Sequence, residues 1–132
     1  MFVLKNGAGI KINGNADINI SAMSQNELIA AGLSAEQAAK LEGMLIFEDR
    51  GSSGNSGNKI NGTADTYLNG TIYLPKSGIE FLGTAYVTSR CLMIAAKTIQ
   101  IGGTADMSSF CPAGMQHNTE VSRSSRNVKL VG

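Results

Sequence analysis

Hydrophobic and polar positions alternate in short bursts along this chain, and the bursts repeat. "INGNAD" at 12–17, "INGTAD" at 60–65, "FLGTAY" at 81–86 and "IGGTAD" at 101–106 share an apolar-x-Gly-polar-Ala core. Two residues before each motif glycine stand Ile12, Ile60, Phe81 and Ile101, all large and apolar. Three before stand Lys11, Lys59, Glu80 and Gln100, all polar; four before stand Ile10, Asn58, Ile79 and Ile99. A period of two over these columns predicts that each copy enters on a strand with one face inward. The glycine then permits a sharp corner, and the alanine after it supplies a small inward residue.

The last three motif glycines, Gly62, Gly83 and Gly103, are 21 and 20 residues apart. The first gap, from Gly14 to Gly62, is 48 residues and reads as two such periods plus extra chain. Further strands recur out of phase at 44–50, 70–76 and 91–97, so each turn carries at least two strands, with room for a third. Short strands repeating at about 20 residues are the signature of a stacked coil in which each rung buries what the next leaves open. The expectation is a mainly β chain, a short parallel β-solenoid (β-helix) forming a single domain over 1–132. An antiparallel β-sandwich is the competing architecture, since short strands at close spacing also fit it.

Three segments depart from the repeat. "SQNELIAAGLSAEQAAKLEG" (24–43) is helical in composition. Ser24 with Glu27 and Ser34 with Gln37 make two capping boxes, and Gly32 between them is a stop, which predicts two short helices inserted in the first turn. Leu28, Ile29, Leu33, Ala38 and Leu41 supply an apolar face to lie on the coil. "GSSGNSGN" (51–58) predicts a flexible loop. The tail at 112–132 is polar until "VKLV", which predicts a closing strand over the open end.

Composition narrows the function. Eleven basic against ten acidic residues give no electrostatic case for nucleic acid or an anionic membrane surface. No apolar run reaches the roughly 18–20 residues of a membrane span. His117 is the only histidine, so no Ser-His-Asp or Cys-His arrangement with more than one base can be assembled. Two cysteines without a C-x-x-C spacing make a poor zinc set. Asp17, Asp65 and Asp106 share a column, but Tyr86 separates the last two by two rungs, roughly 9–10 Å from the strand spacing. That is too far for one calcium ion. The expectation is therefore a chain that is not an enzyme, with no catalytic, cofactor-binding or metal-binding residues. Glu48, Asp49 and Arg50 form the densest charge group and are a candidate interaction or structural cluster, with a local salt bridge at a strand end as the simpler outcome. Cys91 and Cys111 are 20 residues apart, one repeat period, and each follows its motif alanine by six. Adjacent rungs bring Cα atoms to about 4.8 Å, inside the range a disulfide requires, so the pair is a disulfide candidate.

At "LIFEDR", "KINGTADTYLNGTIYLPKSGIEFLGTA" and "CLMIAAKTIQIGGTADMSSFC" the sequence resembles the C-terminal region of TadG-like tight-adherence (Flp) pilus-assembly proteins. Asp49, Arg50, Ile60, Asn61, Gly62, Gly70, Thr71, Ile72, Tyr73, Pro75, Cys91 and Cys111 fit the family pattern, as does the closing "VKLV". The likeness covers residues 2–20 and 44–132; at 24–43 relatives have a short Pro/Gly loop where this chain has its helical segment. The resemblance implies an extracytoplasmic domain of a bacterial cell envelope, periplasmic or on the cell surface, with a transmembrane helix outside this segment and no membrane contact by the segment itself. Other pilus or envelope proteins are the implied partners. Apart from the resemblance, the open ends of a coil invite stacking, and the 24–43 helices and the 112–132 tail are expected to blunt them, leaving a monomer or small oligomer. Two other functions stay open: a carbohydrate-binding or carbohydrate-cleaving β-helix, and a bactofilin-like self-assembling scaffold.

Overall fold

A computed structural model describes residues 1–13, 18–55, 57–61, 65–82, 86–88 and 92–103, with residues 65, 66 and 86–88 described by backbone alone. The chain is mainly β and is built on a curled sheet in which every strand pair is parallel. The strands are β1 (Phe2–Leu4), β2 (Lys11–Asn13), β3 (Ile18–Ser21), β4 (Met44–Glu48), β5 (Asn58–Asn61), β6 (Asp65–Leu82), β7 (Tyr86–Thr88) and β8 (Leu92–Ile101). Uniformly parallel pairing removes the sandwich, whose neighbouring strands would run antiparallel.

The long strand β6 organises the rest. Its first part pairs with β3 and β7, its middle with β4 and β8, and its last part with β5 and β8. β1 continues the middle ladder through β4, and β2 continues the last ladder through β5. The sheet curls because β6 turns between its ladders. Gly70 takes φ +131 at the first bend, and the register against β8 shifts between Leu74 and Gly78 at the second.

The registers follow the sequence columns. Ile12 pairs with Ile60, Ile60 with Phe81 and Phe81 with Ile101. Ile12, Ile60 and Phe81 are buried in a core with Leu4, Leu45, Ile46, Leu68, Ile72, Leu74, Ile79 and Leu92. On the opposite face of the same strands, Lys59 pairs with Glu80, their charged groups 3.2 Å apart and partly exposed. An exposed pair of this kind contributes well under about 1 kcal/mol.

Two expectations about the repeat need correction. Ile12 lies directly beside Ile60, so the 48-residue first gap is one turn and not two. The inserted helices and the 51–57 loop take up the extra chain. Ile101 continues the row but is exposed, as is Ile99, because among the described residues no strand lies beyond β8.

The insertion forms the two helices its caps predict, α1 (Gln25–Ala30) and α2 (Ala35–Leu41). Both capping boxes are made, Ser24 with Glu27 and Ser34 with Gln37, and Gly32 sits at φ +99 between the helices. Leu28 and Ala38 are buried, while Ile29 faces solvent. Neither buried residue belongs to the main core cluster, so the helices bury these side chains apart from it. The tail from 104 onward, with its expected closing strand, lies outside the described residues.

Candidate functional site

The "FEDR" group does not form a charge cluster, because strand alternation sends its members in different directions. Ile46 and Glu48 share one face of β4, and Phe47 takes the other. Glu48 therefore stands on the core face beside Leu4, and it is fully buried. Its carboxylate accepts the Lys76 backbone N–H at 2.9 Å and the Ser77 hydroxyl at 2.5 Å. Ser77, also buried, accepts the Asn55 backbone N–H at 2.6 Å. A buried carboxylate persists only when its oxygens are satisfied, and these donors satisfy it.

Asp49 closes a turn. Its side chain accepts the Gly51 N–H at 2.7 Å, and its carbonyl accepts the Ser52 N–H at 2.9 Å. Arg50 reaches across to β6, where its Nε donates to the Tyr73 hydroxyl at 3.1 Å and its guanidinium lies 5.7 Å from the ring centre. Tyr73 is itself stacked on Phe47, centroids 5.7 Å apart with planes at 19°. The local salt bridge expected among Glu48, Asp49 and Arg50 is not made; hydrogen bonding and ring stacking hold all three instead.

The described residues of the 51–58 segment, read from composition as flexible, are densely hydrogen-bonded. Ser52 is buried and its hydroxyl accepts the N–H groups of Gly7 and Gly54, at 3.0 and 3.3 Å. The Asn55 amide donates to the Gly7 carbonyl at 2.7 Å. Buried Asn58 bridges neighbouring strands, accepting the Ile10 N–H and donating to the Gly78 carbonyl. Small polar residues here stitch corners together, a role that composition alone does not separate from mobility.

Beside these corners lies an open groove of about 910 Å³, lined by Asn55, Lys76, Glu80, Lys97, Thr98 and Gln100 with the exposed edge of β8. Glu80 is engaged by Lys59. Ile79, Ile99 and Ile101 also line the groove, so its character is mixed; it was not legible in the sequence because its walls come from three segments far apart along the chain. Among the described residues no group of three or more His, Cys, Asp or Glu side chains can hold a metal ion. No described helix is long and apolar enough to cross a membrane. Asp65 lies opposite Tyr86, as the column requires. Asp17, Asp106, His117 and both cysteines of the candidate disulfide, Cys91 and Cys111, lie outside the described residues.

No family model, no curated protein and no solved structure matches this chain.

Proposed function

We propose that the chain is a short parallel β-solenoid serving as a non-enzymatic structural and protein-contact domain, carried outside the cytoplasmic membrane by a TadG-like pilus-assembly protein. The observation that carries the solenoid reading is the registered row Ile12, Ile60, Phe81, Ile101, built from parallel strands, with no strand beyond β8 among the described residues. A stack of this kind offers a contact surface at its open edge. The non-enzymatic reading is supported by the fates of Glu48, Asp49 and Arg50, whose polar groups are engaged within the fold. The envelope location rests on the family resemblance and on the one-period spacing of Cys91 and Cys111. A self-assembling scaffold is the second reading, favoured by the same open edge.

Location separates the two. Recovered from an oxidising envelope compartment and denatured without reductant, the protein is expected to show no free thiol. Two free thiols would overturn the bridge and with it most of the case for an extracytoplasmic role. Pull-down from envelope fractions then tests for pilus or envelope partners.

A further inference from the structure

We infer that the β8 edge of one molecule receives the β1–β2 edge of a second copy, head to tail and in register with the ladders inside each molecule. This partner assignment rests on the solenoid reading above and goes beyond it. Among the described residues, five large hydrophobic side chains are exposed. Four lie on the terminal strands: Phe2 and Val3 on β1, 45% and 47% exposed, and Ile99 and Ile101 on β8, 46% and 54% exposed. The apolar surface is thus gathered at two opposite edges of the same sheet, where the backbone ladder also has no described partner.

The rows at the two edges match. Inside the molecule Phe2, Ile46, Ile72 and Ile94 form one row, and Val3, Phe47, Tyr73 and Ala95 the next. Continuing them sets the second copy's Phe2 on Ile94 and its Val3 on Ala95. In the neighbouring ladder, Lys11, Lys59, Glu80 and Gln100 form one row and Ile12, Ile60, Phe81 and Ile101 another. Continuing these sets Ile12 on Ile101 and Lys11 beside Gln100. Both strand segments of each edge therefore meet chemically compatible partners in one placement, with apolar residues on apolar and lysine beside an uncharged amide. The interface is heterologous, so it leaves one free edge of each kind and adds copies in a line.

The test is sedimentation velocity of the full chain over a concentration series, with two end-blocked variants checked for fold by circular dichroism. One carries Phe2→Glu and Val3→Glu, and the other carries Ile99→Glu and Ile101→Glu. The intact chain is expected to associate as concentration rises, and each variant alone to stay monomeric. Mixed, the two variants still offer one intact edge of each kind, so they are expected to give dimers that grow no further. A monomeric intact chain, or a mixture that fails to pair, overturns the inference. A third full-length variant, Val128→Asp with Leu130→Asp, tests the chain's own tail as occupant. Association that appears only in that variant assigns the β8 edge to the tail and also overturns it. A folded monomer in these runs overturns the stacking alone, whereas loss of the parallel ladders in hydrogen exchange overturns the solenoid reading.

Discussion

The Ser77 hydroxyl donates to the carboxylate of Glu48, a residue 29 positions earlier and fully buried. With the Lys76 N–H on its other oxygen, the side chain joins the end of β4 to the second bend of β6. Its work is geometric: it fixes the turn at which β6 passes from one ladder to the next.

Glu48→Ala should be the most destabilising change in this polar network. It removes the acceptor and strands the buried Ser77 hydroxyl together with the partly buried Lys76 N–H, at a cost of about 3 kcal/mol. Glu48→Gln keeps the shape and one acceptor oxygen and should lose less. Urea unfolding of both variants checks the order; equal stability of Glu48→Ala and the parent would show that the network contributes nothing.

Thr71 makes the opposite case. It is buried, and its hydroxyl has no hydrogen-bond partner among the described residues. Thr71→Val replaces that hydroxyl with a methyl of similar volume, so stability should hold or rise by up to about 1–2 kcal/mol. A fall on substitution would reveal a partner for the hydroxyl.

Gly70 is required where β6 bends. At φ +131 an L side chain is strained, and an added Cβ would lie 2.6 Å from the Ala22 Cβ and 2.8 Å from the Gly43 carbonyl oxygen. That carbonyl accepts the Thr71 N–H, so it cannot withdraw without breaking the ladder. Gly70→Ala should cost more than about 1 kcal/mol, read as a lowered midpoint of thermal unfolding.

The rows of the sheet were legible because each copy of the repeat alternates cleanly around its glycine, which fixes both face and register. Ile60 beside Phe81, and Lys59 beside Glu80, follow from that alternation alone. The capping boxes were legible for the same local reason, being set by residues three apart. Glu48 was not, because "MLIFE" is a continuous apolar run in which the phase is hidden. The register shift between Met44 and Ile46 adds to this by letting Leu45 be buried beside Ile46. Counting by twos from Ile46 would have placed Glu48 inward. The single-turn nature of the first gap depends on how much chain the insertion consumes, and sequence spacing does not state that.

Glu27 gives α1 a pH dependence. The Ser24 backbone N–H, and after it the Ser24 hydroxyl, donate to its carboxylate and hold its pKa below the ordinary 4.5. A pKa depressed by folding stabilises the helix cap fully above the ordinary value, and the effect is lost as pH falls through the lowered one. An NMR titration of the Glu27 carboxyl should place its midpoint below 4.5, and Ser24→Ala should move it part of the way back. A midpoint at the ordinary value would mean that the capping box does not form in solution.

Arg50 and Tyr73 offer a graded test of how the outer face of the sheet is held. The guanidinium both hydrogen-bonds the phenol and lies against the ring, and the ring stacks on Phe47. Tyr73→Phe removes only the hydrogen bond and should cost about 0.5–1 kcal/mol. Arg50→Ala removes the bond and the cation–ring contact together, adding about 0.5–1 kcal/mol for an exposed site. Tyr73→Ala also removes the stack, worth about another 0.5–1.5 kcal/mol beyond the lost area. Chemical denaturation should therefore rank the three in that order. An Arg50→Ala variant as stable as the parent would show that the arginine is solvated rather than docked, and would return it to the surface as a group available to a partner.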